Sequence, residues 1–328
     1  MGLALKLLTS SAFMMAAALV ISLITNFSGI FPSGILTTKV TSNLTIILLA
    51  VMMTISLSRI SSKDLSPRKN PKSLLRALVI GLFIASAVPI AGYLLLKGNP
   101  SYSKYAAGLV FVAATPFAAS VAPLSFILRG DMEHAARSTI YVYIAALLWI
   151  PAIVYILLGK SVNMADLIIT VIEVIGVPLV ASRFLTKVKM DKIKMAVLLN
   201  CIIAFLVWMS VSATSFPSSI WIVLVFLLIG LLRTFGLGNM IEIVERRAGI
   251  QWSQRVTDIL MMSYKNKGIA IALCVATMVG PEVPNAMVAV AVSVIAETCW
   301  VVFMDSVLFS KRRMKRELER EGSEVSDL

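Results

Sequence analysis

Ten times between residues 4 and 309 the chain presents a run of about 20 mainly apolar residues, and this recurrence limits its folding more than any other feature. The runs lie near 4–25, 43–60, 74–96, 105–128, 134–158, 164–185, 193–212, 218–236, 253–279 and 284–309. Each is long enough to cross a bilayer as a helix. Hydrophobic residues make up 59% of the chain and charged ones 14%, against roughly 25% charged in soluble domains. A water-soluble globule cannot hide that much apolar surface, which excludes a soluble enzyme and a disordered chain. The expected fold class is an all-α polytopic membrane protein with ten transmembrane helices. The first run carries one lysine, a long apolar stretch and no convincing small-x-small cleavage site, so it reads as a retained span rather than a signal peptide.

The formal net charge of +13 then becomes a question of sides. Lys6, the segments Ser58–Arg76, Arg129–Arg137, Arg183–Lys194 and Arg233–Arg255, and the tail from Lys311 hold 24 of the 30 basic residues. The opposite connections hold only Lys39, Lys97, Lys104 and Lys160. Ten spans and the positive-inside rule agree on a multi-pass protein of the plasma (inner) membrane with both termini cytoplasmic. The excess charge is topology and implies no nucleic acid. Residues 311–328 read as a solvated cytoplasmic tail whose basic start lies at the anionic lipid surface.

Ten spans divide into five plus five, a first repeat over 1–160 and a second over 161–310. An odd number of spans per half turns the second half upside down, the inverted-repeat plan of many secondary transporters. The fourth span of each half is interrupted. In the first half Ala113-Ala114-Thr115-Pro116-Phe117-Ala118-Ala119-Ser120 breaks the run; in the second, Ser263-Tyr264-Lys265-Asn266-Lys267-Gly268 does. Broken helices expose N–H groups that attract anions and C=O groups that coordinate cations, and such breaks persist in a membrane only under cover of protein or water. Thr115, Pro116, Ser120, Ser263, Tyr264, Lys265, Asn266 and Lys267 are therefore the candidate binding residues, with Ser125 a further hydroxyl. A charge at mid-bilayer costs about 2.5–3.5 kcal/mol, so Lys265 and Lys267 must face protein, water or an acid. Asp258, Glu297 and Glu173 are the deep carboxylates, Glu297 joins the candidate site, and Asp305 lies near a membrane end. The chamber so defined favours a small organic anion.

The remaining reactive residues read blandly. Cys201, Cys274 and Cys299 sit in apolar runs with no CxxC and read as small buried residues; no metal site or cofactor is expected. The one histidine, His134, reads as surface in a short charged loop. GxSxG, HExxH and paired-Asp motifs are absent from the spans, so no enzyme activity is expected.

Three stretches resemble the bile acid:sodium symporter family, in the bile/arsenite/auxin transporter superfamily. They are Ile47–Leu57 with Ser61-Ser62-Lys63-Asp64-Leu65, Ala114–Ser120 leading to Leu128-Arg129-Gly130-Asp131, and Ser263–Leu273. The resemblance implies a panel part and a core part, with helices 4 and 9 unwound and crossing in the core, and alternating-access transport of organic anions driven by sodium. It also exposes departures. Where sodium-coupled members carry Ser-Asn after the first break, this chain has Val121 and Ala122. Where they carry an acid and a Gln before the second-break Asn, it has Met261 and Lys265. A hard cation needs several oxygens, so classical sodium coupling is expected to be lost. The Lys265 ammonium would fill the cation's place, or Lys265 would titrate and couple transport to protons, or transport would be uncoupled exchange. The alternatives are an arsenite-type or channel-like permease, against which the cysteine-free fourth span counts, and a non-transporting receptor with the same fold.

Overall fold

The computed structural model describes residues 3–60, 71–186, 188, 191–278 and 282–321. The family-like stretch Ser61–Leu65 and the last residues of the tail lie outside them. Among the described residues every regular element is a helix. In chain order these are α1 (Leu3–Thr9), α2 (Ser11–Phe27), α3 (Thr38–Leu57), α4 (Pro71–Leu96), α5 (Ser103–Ala114), α6 (Val121–Ile127), α7 (Met132–Leu158), α8 (Met164–Phe184), α9 (Lys192–Ser212), α10 (Ile220–Arg247), α11 (Trp252–Ser263), α12 (Lys267–Thr277), α13 (Glu282–Leu308) and α14 (Lys311–Arg320). Seven of them (α3, α4, α7, α8, α9, α10 and α13) are long and apolar enough to cross a membrane. The shorter apolar helices are α2, α5 and α12. Exposed Ile24, Leu148, Ile156, Phe184, Trp221 and Leu228 give the outside an apolar surface suited to lipid.

Local chemistry starts and stops these helices. Ser10 caps α2 through Phe13 N, Asp131 caps α7 through His134 N at 2.8 Å, and Asn163 and Asp191 cap α8 and α9. The first apolar run is thus two helices, because Ser10 breaks it. The fourth run splits at Thr115–Ser120, where Pro116 cannot continue the ladder. The ninth splits at Tyr264–Asn266, and Asn266 caps α12 through Ile269 N at 3.1 Å. π-helical turns interrupt α4 at Val79–Ile84, α8 at Ile172–Gly176, α10 at Leu232–Gly236 and α13 at Met304–Leu308. Such turns recur at functional sites.

Packing follows residue size. α5 lies between α4 and α13. At Gly108 the α5 backbone comes so close to α13 that an added Cβ would stand 2.0 Å from the Ala286 carbonyl oxygen. α2 packs on α9 and α3 on α8, while α12 lies against both α3 and α8.

Several expectations are corrected. The tail is not simply solvated: α14 buries Met314 and Glu317, and Glu317 pairs with Arg255 at 2.6 Å and Arg246 at 3.0 Å. Cys274 is buried, but Cys201 and Cys299 are exposed, because their helices turn those faces outward. Arg233 belongs to no loop; it is 1% exposed inside α10. His134 is 2% exposed in the first turn of α7. Glu173 lies on an exposed face of α8 rather than inside the protein.

Candidate functional site

The two helix breaks meet. Phe117 and Lys265 form an antiparallel bridge, in which Ala118 N donates to Tyr264 O at 2.8 Å and Asn266 N to Pro116 O at 2.9 Å. The backbone groups freed by each interruption therefore satisfy those of the other, which is what a break in a low-dielectric interior requires. Tyr143 of α7 locks the pair. Its hydroxyl accepts from Asn266 Nδ2 at 2.9 Å and donates to Phe117 O at 2.8 Å.

Lys265 runs from this bridge into the protein and is fully buried. Its ammonium donates to Thr115 O at 2.6 Å, Ser86 Oγ at 2.9 Å, Ala113 O at 3.0 Å and Gly81 O at 3.4 Å. Three of these are backbone carbonyls at the end of α5 and in the π turn of α4. The fourth, Ser86, spends its own proton on Ala113 O at 2.6 Å. Four acceptors around a nitrogen with three protons suit an ammonium ion.

Lys267 opens α12 and pairs with Glu297 of α13 at 3.0 Å. Arg233 reaches the same Glu297 oxygen at 2.5 Å, and its other arm donates to Ser263 O at 3.0 Å, capping the carbonyl end of α11. Around the crossing, one carboxylate thus pairs with two basic side chains while the Lys265 ammonium stands among neutral oxygens, an arrangement that leaves positive charge uncompensated. Asp258, which two helical turns would have put on the face of Lys265, pairs instead with Arg76 at 2.7 Å.

A crevice of about 70 Å³ lies beside the crossing. Ser120, Tyr264, Lys265, Asn266, Lys267 and Glu297 line it together with apolar residues of α2, α3 and α9. At Ile271 it adjoins a cavity of about 420 Å³ walled by hydroxyls of Thr41, Thr45, Ser210 and Thr214 and by apolar Met209 and Met287. The larger space has the size of a small-molecule site, whereas the smaller holds about two waters.

The candidate residues are therefore gathered, with two exceptions. The Ser263 hydroxyl serves the frame: it accepts from Trp300 Nε1 at 2.7 Å and donates to Ile259 O at 2.6 Å. Ser125 takes a hydrogen bond from Thr257 at 3.4 Å, away from the crevice. Thr115 and Pro116 act through their carbonyls, and the Thr115 hydroxyl bonds back to Val112 O. Sequence reading missed Arg233, Ser86, Gly81 and Tyr143. Arg233 had a signal, a lone arginine just past the apolar run Ile220–Leu232, and was taken for a loop residue.

No curated protein matches the chain. The profile of the Sodium Bile acid symporter family matches residues 42–231, more than half of the chain, and takes in the first break with the helices on either side of it. Together with seven membrane-capable helices, the match makes this an integral multi-pass membrane transporter of organic anions and not an enzyme. The chain belongs to the Sodium Bile acid symporter family.

Proposed function

We propose that the protein is a secondary active transporter of a small organic anion, working by alternating access, in which the Lys265 ammonium takes the place of a coupling sodium ion. The observation that carries this reading is the Lys265 cage of three carbonyls and one hydroxyl, the oxygen shell a hard cation would seek. The neighbouring positions argue the same way. Val121, Ala122 and Met261 are buried and offer no side-chain oxygen, so the chain's own residues do not fit the classical sodium ligands.

In this reading α2, α5 with α6, and α11 with α12 supply the crossings that the seven long helices leave out. Ten crossings result, as two inverted repeats of five with both termini cytoplasmic in the plasma membrane. Lys267, held by Glu297, and the N-terminal end of α12 present positive charge to the crevice and receive the anion. The cavity of about 420 Å³ takes the uncharged body. The crevice is too small for an organic anion as it stands, so binding there requires the α2–α9 group to move relative to the helices bearing the breaks.

The test is anion counterflow in liposomes containing the purified protein, with taurocholate and smaller carboxylates and sulfonates as probes. Counterflow with equal rates with and without a sodium gradient is expected. Strong stimulation by sodium would overturn the lysine substitution, and absence of flux for every probe would overturn transport itself.

A further inference from the structure

Glu297 of α13 is shared between two cations. Lys267 of α12 and Arg233 of α10 both come to its Oε2, at 3.0 and 2.5 Å. The two holders are placed differently. Lys267 lines the crevice beside the crossing together with Glu297. Arg233 does not line it, and its second arm is tied to Ser263 O at 3.0 Å. All three residues are more than nine-tenths buried. Among the described residues that line the crevice, Glu297 is the one acid.

The two lysines of the crossing are not equally satisfied. Lys265 gives its protons to four oxygens. Lys267 Nζ is buried, and no acceptor among the described residues meets it in hydrogen-bond geometry. Glu297 is its partner by distance and charge alone. An ammonium has three protons to place, and leaving them unplaced in a buried spot is costly. A carboxylate or sulfonate entering the crevice would supply the missing acceptors. It would also meet the negative charge of Glu297. Glu297 has a second holder to fall back on, because Arg233 keeps it when Lys267 is given up. Without Arg233 the same step would strand a bare buried carboxylate, which is strongly destabilising.

We propose that Glu297 is a built-in stand-in for the transported anion. With the site empty it neutralises Lys267. The carboxylate or sulfonate head of the anion takes Lys267 from it, and Glu297 stays on Arg233 while the anion is bound. Lys267 therefore has a negative partner in both conditions, and no bare charge is carried through the protein as the site changes sides. The empty protein can then reorient by itself, so the anion moves in net fashion and not solely in exchange for another. This mode of transport rests on the anion-transport reading; the change of partner at Lys267 can be seen without it.

Glu297→Gln removes the stand-in and keeps its shape. Purified full-length variant is expected to bind taurocholate at least about tenfold more tightly than the wild type, the weight of one charge-assisted hydrogen bond. In liposomes the wild type should show both net uptake into vesicles free of taurocholate and counterflow into loaded ones. The variant should keep counterflow, with net uptake lower relative to it by at least about tenfold. Equal or weaker binding by the variant, an unchanged ratio of net uptake to counterflow, or a wild type confined to counterflow overturns the stand-in. Glu297→Asp, set back by one methylene, keeps the charge but cannot span both cations. It replaces the Gln variant if that one does not fold, with the same directions expected. A second readout needs no transport. Acetate at constant ionic strength should raise the Tm of the Glu297 variant, but not that of the wild type or of the same variant carrying Lys267→Met. If the wild type neither binds nor moves taurocholate, the transport reading fails for that anion, and the acetate response decides whether Glu297 fills a carboxylate seat on Lys267. A response in all three proteins, or in none, overturns that seat.

Discussion

The Tyr143 hydroxyl stands between the two helix breaks, 2.9 Å from the Asn266 amide it accepts from and 2.8 Å from the Phe117 carbonyl it donates to. Tyr143→Phe removes one oxygen and leaves two buried polar groups without their partner. A cost of about 1–3 kcal/mol is expected, read as a lower Tm of the detergent-solubilised protein. An unchanged Tm would mean that the Phe117–Lys265 bridge holds the crossing alone.

Lys265→Ala empties the cage while leaving its four oxygens in place. Sodium then has a shell to enter, and the variant, unlike the wild type, should gain thermal stability as sodium replaces choline in the buffer. A gain of about 2.7 kcal/mol corresponds to sodium at 100 times its Kd. Equal response of both proteins to sodium speaks against the cage as a cation site.

Gly108→Ala tests the closest helix contact. The obstacle to its Cβ is the Ala286 backbone rather than a mobile side chain, so α5 and α13 must separate. Overpacking of this kind costs about 1–3 kcal/mol or more. The loss should appear as reduced yield of monodisperse protein on size exclusion, with Gly230→Ala, where the obstacle is the Ala296 side chain, milder.

The docking of α14 should depend on pH through Glu317. Burial pushes this carboxyl up, but the hydrogen bond from Arg255 and the charges of Arg255, Arg246 and Arg313 outweigh it and hold it below its ordinary value. A lowered value in the docked state means that docking gains stability above the ordinary carboxylate range, near pH 4, and loses it as pH falls through the lowered value. Hydrogen exchange of α14 is therefore expected to be constant from pH 8 to pH 5, after correction for intrinsic rates, and to rise below about pH 4. Glu317→Gln should expose α14 already at pH 7.

The ten apolar runs and both breaks are legible in the chain because each is a local property: length of apolar sequence, a proline, two lysines in a hydrophobic stretch. What could not be read is which charge meets which. Asp258 stands seven residues from Lys265, yet its partners Arg76 and His134 come from helices more than 120 residues away. His134 looked superficial because Asp131 and Glu133 flank it, although its own ring turns inward from the first turn of α7. Spacing alone could have corrected the reading of the tail. Met314, Glu317 and Leu318 recur on one face of a helix, and a stripe of that kind in a charged segment signals docking rather than solvation.

The π turn of α4 has a consequence for how the molecule tolerates change. It lies between Arg76, which pairs with Asp258, and Ser86, which serves the Lys265 cage. One residue more or less in a helix rotates everything beyond it by about 100°. Deleting a single residue from Val79–Ile84 would let the turn relax to ordinary α geometry, with no charge removed and little apolar surface lost. Both polar sites would then keep their register, whereas the same deletion in the α-helical turns on either side, where no wider turn can take it up, would swing one of them away from its partners.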